Sequence, residues 1–226
     1  MQALSLQAQY EAANGNASVQ ETILDQLKSL LGGTTADPSV QLTVASVLLS
    51  AGQTKEALQA VHSASTNEQA LLLLQIYLKM DRLDLASQQA QKLRTADEDS
   101  IPAQLANVYV SLARGSSAAG DALHLLTSLS EQYGNSPLLL NLQACAYLQQ
   151  GDYVAAEQAL DECVMEFGSS PLPDTLVNRI ACCVHQNKSP AEFVAQLQQA
   201  YPTHPFCEGL ERVTTAFDRE AIKYKV

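Results

Sequence analysis

The sequence predicts an all-α fold, a right-handed α-solenoid of helical hairpins, and three observations predict it. A short polar turn is followed about five residues later by an alanine at Gly52…Ala57, Asp81…Ala86 and Gly151…Ala156, and more loosely at Asn187…Ala191, with Ala122 between the second and third. The alanines stand 29, 36, 34 and 35 residues apart. A period near 34 built from two amphipathic helices marks a tetratricopeptide-like array. The composition agrees: Ala, Leu and Gln dominate, aromatics are 5% and Trp is absent. That mix suits good helix formers packing closely through small residues. Such arrays hold other proteins on a curved surface.

Residues 2–13 and 18–31 read as two helices, with Gly32-Gly33 ending the second. The chain begins directly in helical pattern, so further helices are expected upstream of Met1. Asp37 and Pro38 open the next helix as N-cap and first residue. Ser39 to Val47 alternates polar and apolar, a strand signal when taken alone. The run continues into Leu48-Leu49-Ser50-Ala51-Gly52, and the following repeat matches its length, so a helix is expected. Thr54 is expected to cap a partner helix running to about Ser63.

Thr66 and Gln69 form a capping-box pair before Leu71–Met80. Asp81-Arg82 is the turn and Leu83–Leu93 the partner helix. Residues 95–100 read as an acidic loop in which Asp99 caps the next helix, Pro102–Ala113. A longer turn, Gly115 to Gly120, precedes Asp121–Tyr133. Ser136-Pro137 opens the cleanest unit: Pro137–Gln149, the turn Gln150-Gly151-Asp152, and Tyr153–Phe167. Pro171 and Pro173 interrupt the chain before a helix over Asp174–His185. Ser189-Pro190-Ala191-Glu192 reads as a capping box with proline at the first helical position, opening a helix to about Ala200. Pro202 and Pro205 break the chain again. A final helix from Phe206 to about Tyr224 is expected to cap the array, giving a solenoid over 1–204 and a capping helix over 205–226.

The repeat-packing register follows from helical spacing. In the unit from Pro137, Ala144 faces Ala156 across the hairpin, with Leu140 and Tyr147 on one stripe and Leu160 and Cys163 continuing the packed face. Equivalent places fall on Leu74, Tyr77, Ala86, Ala90 and Leu93, on Ala106, Tyr109, Ala122 and Leu126, and on Ala45, Leu48, Ala57 and Val61.

At 226 residues the chain is long enough to bury a core. Hydrophobic residues make up 46% and the net charge is −11. The hydrophobic content excludes a disordered chain. The acidic balance argues against direct binding to nucleic acid or anionic membrane. It serves solubility, and more sharply it suits a basic protein partner. Cys145, Cys163, Cys182, Cys183 and Cys207 are odd in number and lack framework spacing, as reduced cytosolic thiols do. Residues 1–14 show neither the basic region nor the apolar stretch of a signal peptide. No apolar run approaches the roughly 20 residues of a membrane span. The triplets Asn16-Ala17-Ser18 and Asn187-Lys188-Ser189 fit the glycosylation pattern by coincidence.

Catalytic and metal chemistry find little support. Cys182-Cys183 with His185 lacks a matched second pair, and structural zinc needs four ligands at recognisable spacing. No Gly-x-Ser-x-Gly, His-Glu-x-x-His or phosphate-binding loop occurs. Asp81, Arg82 and Asp84 fall in an interhelix turn and read as a solvated cap. His204 and Cys207 flank a proline at a helix start. No catalytic residue, cofactor or metal is expected.

A set of ordered segments resembles the epsilon-subunit family of coatomer, the coat complex of Golgi-to-ER vesicles. The hallmark is Leu78-Lys79-Met80-Asp81-Arg82-Leu83-Asp84-Leu85-Ala86. Further matches follow in order: Asp97-Glu98-Asp99, Gln104-Leu105-Ala106, Val110-Ser111-Leu112-Ala113, Leu138-Leu139-Leu140-Asn141, Thr175-Leu176-Val177-Asn178, His204-Pro205-Phe206 and Phe217-Asp218-Arg219. The resemblance runs from about Met1 to the C-terminus and covers the later, larger part of the family's chain. Ser116–Gly120 and Ala195–Pro202 depart from the pattern. The resemblance implies a non-enzymatic coat component whose repeats grip the C-terminal region of the alpha coat subunit. It implies a role in coat stability and retrograde and intra-Golgi transport, with other coatomer subunits as partners. The implied location is cytoplasmic and peripheral on Golgi membranes and COPI vesicles, with membrane association only through the coat.

In a solenoid of this type the inner surface is lined by the A helices, the first of each hairpin. The expected lining is Leu42, Ser46 and Leu49; Leu71, Gln75 and Leu78; Ala103, Asn107 and Val110; and Asn141, Cys145 and Leu148. This surface is apolar and amide-lined, with Lys79 a rare charge. It suits a partner segment whose backbone pairs with amide side chains, as in strand-like peptide capture. The other reading is a generic tetratricopeptide adaptor or co-chaperone. A carboxylate clamp needs charged donors, and Leu42, Leu71 and Ala103 stand where lysines would be required.

Overall fold

The computed structural model describes residues 2–13, 16–32, 37–168 and 172–224. Among them it shows thirteen α-helices and no strand. Contacts divide the chain into two compact units, Met1–Leu125 and Leu126–Val226.

The first unit holds α1 (Gln2–Ala12), α2 (Ala17–Ser29), α3 (Pro38–Ser50), α4 (Thr54–Val61), α5 (Asn67–Lys79), α6 (Leu83–Ala96), α7 (Ile101–Arg114) and the start of α8 (Ala119–Tyr133). Asn16 caps α2 through an oxygen that accepts from the Val19 N–H, and a short 3₁₀ turn, Leu30–Gly32, ends it. Gly33 lies outside the described residues. Asp37 accepts from the Ser39 N–H at 2.8 Å and from its hydroxyl at 2.7 Å, which holds its carboxyl below the usual range. The alternating stretch 39–47 is helical: the cap and Pro38 start α3, and both stripes of the alternation meet neighbours. The capping box of Thr66 and Gln69 is fully formed.

The second unit completes α8 and continues with α9 (Pro137–Gln150), α10 (Tyr153–Phe167), α11 (Pro173–His185), α12 (Ala191–Ala200) and α13 (Pro205–Ala221). Ser136 and Asp152 cap α9 and α10 by accepting from the Leu139 and Ala155 N–H groups at 3.2 and 3.1 Å. Pro173 begins α11 rather than interrupting the chain, because a first-turn proline lacks only an N–H that would have no helical partner. Pro171 lies outside the described residues. The ring nitrogen Nδ1 of His204 accepts from the Phe206 N–H at 3.2 Å and starts α13.

One device closes four of the A-to-B turns. Gly52, Asp81, Gly151 and Asn187 adopt left-handed φ of 76°, 58°, 80° and 56°. The N–H of the next residue then reaches back to a carbonyl five residues earlier: Gln53 to Leu48, Arg82 to Tyr77, Asp152 to Tyr147 and Lys188 to Cys183, at 2.8 to 3.0 Å. This is the Schellman closure of a helix end. At the first three turns that same next residue occupies the N-cap of the B helix. The alanine five residues past the left-handed position therefore stands one turn into the B helix, facing the A helix.

The same geometry corrects four expectations. Thr54 does not cap α4; Gln53 holds that place and the Thr54 hydroxyl donates to Gly52 O at 3.5 Å. Asp99 does not cap α7, where Ser100 precedes the helix and donates its hydroxyl to Asp97 O at 2.8 Å. The acidic loop is shorter than 95–100, since α6 runs to Ala96. The box at Ser189 forms only in part: the Ser189 hydroxyl accepts from the Ala191 N–H at 3.4 Å, while Pro190 takes the N-cap place. That helix starts later after its turn than the others do, and Ala191 is exposed on it, while Leu197 is its buried residue.

In the first unit Ala45 and Ala57 are fully buried in a cluster with Leu48, Val61 and Ile76. Ala86 and Ala106 are fully buried in a second with Leu74, Ala90 and Leu93. In the second unit Ala144, Ala156 and Leu160 share a cluster, flanked by Tyr147. Leu176, Ile180, Leu197 and Cys207 form the last. Ala122 is fully buried on α8, and Tyr77 and Tyr109 are half-buried at the edge of the clusters. Each buried Leu is worth about 1.5–3 kcal/mol of transfer free energy. The alanines set the spacing at which those leucines interlock.

Candidate functional site

Within the first unit α3 packs on α5 and α5 on α7, while α4 and α6 pack on the A helix that follows each of them. In the second unit α9 packs on α11 in the same way. Each A helix thus presents one face to its hairpin partner and another to the next A helix. The remaining face is where the sequence puts its binding residues.

On the first unit Leu42, Leu49, Leu71, Gln75, Leu78 and Asn107 are half-buried. Leu42 and Leu49 rest against the first apolar cluster and Leu71 and Leu78 against the second. Val110 is 4% exposed and Ala103 is fully buried, so both belong to the packing between repeats. Lys79 is spent on structure: its Nζ donates to Leu49 O at 2.8 Å, at the C-terminal end of α3.

On the second unit Leu148 is half-buried beside Tyr147. Asn141, expected as an open amide, is 7% exposed and fully engaged. Its Nδ2 donates to Pro137 O at 2.8 Å and to Thr175 Oγ1 at 2.9 Å, and its Oδ1 accepts from Asn178 Nδ2 at 3.0 Å. Cys145 Sγ reaches Asn178 Oδ1 at 3.5 Å. Gln69 does similar work in the first unit. Completely buried, it donates to Pro38 O at 3.1 Å and to Gln41 Oε1 at 2.9 Å, and it accepts from the Ser65 N–H at 2.8 Å. Gln69 in the first turn of α5 and Asn141 at the start of the second turn of α9 each tie their A helix to a neighbouring A helix. Sequence reasoning missed Thr175, Asn178 and the second role of Gln69. The available signal was polar residues recurring about one repeat apart at helix starts.

The arrangement has little to offer a reaction. All five cysteines are free. Burial, helped by the Glu157 charge, pushes the Cys182 thiol up to about 11, and burial also raises Cys145. A thiol so shifted stays protonated and is a poor nucleophile. Arg82 grips Asp84 with two hydrogen bonds, at 2.7 and 2.8 Å, and holds its carboxyl down at about 2, on an exposed turn. Glu157 accepts from Lys188 at 2.7 and 2.8 Å and from Gln186 at 3.1 Å, next to the stacked rings of Tyr153 and His185. Among the described residues no three His, Cys, Asp or Glu side chains gather where a metal could sit. Among them, no helix is long and apolar enough to cross a membrane.

Comparison with known proteins places this architecture. Its fold is similar to that of a tetratricopeptide repeat protein from Parabacteroides merdae, with a TM-score of 0.72 at 17% identity over 94% of this chain and 84% of that one. That likeness concerns the fold alone. The sequence is 29% identical to coatomer subunit epsilon-1 of Arabidopsis thaliana over 97% of this chain and 74% of that protein. It is 30% identical to coatomer subunit epsilon-2 of Oryza sativa subsp. indica, over 97% and 73%. It is 30% identical to coatomer subunit epsilon of Dictyostelium discoideum, over 79% and 60%. The profile described as coatomer epsilon subunit matches residues 1–225. The chain belongs to the coatomer epsilon subunit family.

Proposed function

We propose that this chain is a non-enzymatic structural subunit of the COPI vesicle coat that binds and stabilises the C-terminal domain of the coatomer alpha subunit. The coat role follows from family membership. The observation that supports a binding role for this chain is the A-helix face of the first unit. There Leu42 and Leu49 on α3 and Leu71 and Leu78 on α5 remain half-buried, as do the amides Gln75 on α5 and Asn107 on α7. Half-buried leucines gain by losing the rest of their exposure, at about 25 cal/mol per Å². The amides can satisfy the backbone of an extended partner segment. On the second unit Leu148 extends the proposal, while Asn141 acts by holding α11 on α9.

The chain works within the coat beside other coatomer subunits, in Golgi-to-ER retrograde and intra-Golgi transport, on the cytoplasmic face of Golgi membranes. A net charge of −11 keeps it from binding anionic lipid or nucleic acid directly, so the coat carries it to the membrane. The test is co-purification with the C-terminal domain of the alpha subunit, read by size exclusion with light scattering. A stable one-to-one complex supports the proposal. Separate elution of the two proteins contradicts it.

A further inference from the structure

Lys79 is a charged residue beside the apolar A-helix face of the first unit, and its ammonium group has a fixed partner. Its Nζ donates to Leu49 O at 2.8 Å. Leu49 lies in the last turn of α3, where carbonyls lack their regular helical partner and the helix dipole favours a cation. Lys79 is itself the last residue of α5. The bond therefore ties the end of one A helix to the end of the next.

The starts of the same two helices are tied as well. Gln69, completely buried in the first turn of α5, donates to Pro38 O at 3.1 Å and to Gln41 Oε1 at 2.9 Å, at the start of α3. The two ties stand ten residues apart on α5, about 15 Å along its axis, with Leu71, Gln75 and Leu78 between them. The helices α3 and α5 are thereby held side by side and run in the same direction.

Helical spacing places Lys79 at the seam between them. At about 100° per residue it falls between the side of Leu72 and Ile76, which packs in the cluster of α3, and the face of Leu71, Gln75 and Leu78. One row of half-buried leucines, Leu42 and Leu49, lies on α3; the other, Leu71 and Leu78, lies on α5. Gln69 is sealed inside, while Lys79 is exposed, so Lys79 is the tie that a substitution removes without opening the core. A face whose rows are spaced beforehand loses less conformational freedom when a partner docks. Where the tie opens, only the chains with both rows in place bind, and the apparent affinity falls by that fraction.

We propose that Lys79 is a positioning residue for docking of the partner: by holding the end of α3 on the end of α5 it sets the spacing of the two leucine rows, without touching the partner itself. The proposal rests on the assignment of the A-helix face to the C-terminal domain of the alpha subunit.

Two readouts on the whole chain test it. One is affinity for that domain by calorimetric titration. The other is amide hydrogen exchange of the free chain at Gly52 and Gln53, whose N–H groups bond to Leu49 O and Leu48 O at the tied end of α3. Lys79→Met keeps the apolar stem and removes the charge. It should weaken binding by about fivefold or more and speed exchange of the two amides by about threefold or more. Lys79→Arg can still donate to the carbonyl and should restore most of both. Circular dichroism on each variant checks that the helices remain. Weaker binding with unchanged exchange overturns the proposal, because Lys79 then acts by touching the partner. Faster exchange with unchanged binding overturns it, because the tie is then structural alone. No change in either, or a Lys79→Arg chain that behaves as Lys79→Met does, overturns it as well. Failure of the parent chain to bind is read before any variant is compared; it overturns the assignment of the face and this inference with it.

Discussion

Asn141 Nδ2 lies 2.9 Å from Thr175 Oγ1, one repeat further along the chain, and both groups are buried. The bond joins the start of the second turn of α9 to the first turn of α11, and Asn178 closes it into a small ladder through Asn141 Oδ1. Buried polar groups of this kind fix register, because a slip of one residue would leave several donors and acceptors unpaired. Asn141→Ala should therefore cost about 1–3 kcal/mol, since it strands the Asn178 amide and removes a partner of Thr175. Urea titration of the variant should show a lower midpoint with little change in slope.

Ala156 and Ala191 occupy the same place in the sequence pattern and opposite places in the structure. Ala156 is fully buried between α9 and α10, and Ala191 is exposed on α12. Ala156→Leu should wedge the hairpin at about 1–3 kcal/mol, as overpacked cores do. Ala191→Leu should leave the melting temperature close to that of the parent. Equal melting of the two variants would refute this register.

Two glycines should respond in opposite directions to the same change. Gly151 has φ of 80° at a Schellman turn, where a side chain is strained whatever space surrounds it. Gly151→Ala should destabilise by about 1 kcal/mol. Gly209 lies within α13, with no left-handed φ and nothing within 4 Å of an added Cβ. Gly209→Ala should stabilise by about 0.5–1 kcal/mol through helix propensity. Differential scanning calorimetry of the pair reads both signs.

The Glu157–Lys188 bridge gives a pH signature. Lys188 holds the Glu157 carboxyl below its usual range, so the contribution of Glu157 is present above its unfolded pKa and is lost as pH falls through the folded value. Glu157 in turn raises Lys188, whose contribution is present below its unfolded pKa and is lost as pH rises through the raised value. Lys188→Met should lower stability at neutral pH, and its gap from the parent should narrow at pH 3. Parallel thermal melts at the two pH values check this.

Much of the fold is legible in the sequence for a local reason. A left-handed residue at Gly52, Asp81 or Gly151 fixes both the end of one helix and the N-cap of the next, so turn and alanine stay in step. Asn187 makes the same closure, but α12 starts later, and the alanine there loses its meaning. Caps failed where residue type competed with geometry: Thr54 is a good cap by chemistry, yet the closure of the preceding turn had already placed Gln53 there. The recurrence of polar residues one repeat apart does not by itself reveal the ladder, because Asn141 looks the same whether it faces a groove or a neighbouring repeat. Only the packing of α11 on α9 decides that, and it joins residues 34 apart in the chain.

The most direct test of the binding account is calorimetric titration of the alpha subunit's C-terminal domain with the parent chain, Leu71→Asp and Gln88→Asp. Leu71 lies half-buried on the A-helix face and Gln88 is exposed on α6. The account predicts affinity weakened by at least about tenfold for Leu71→Asp and unchanged for Gln88→Asp, with helical content preserved in both. Equal affinity for all three chains would contradict it and move the alpha subunit off the A-helix face.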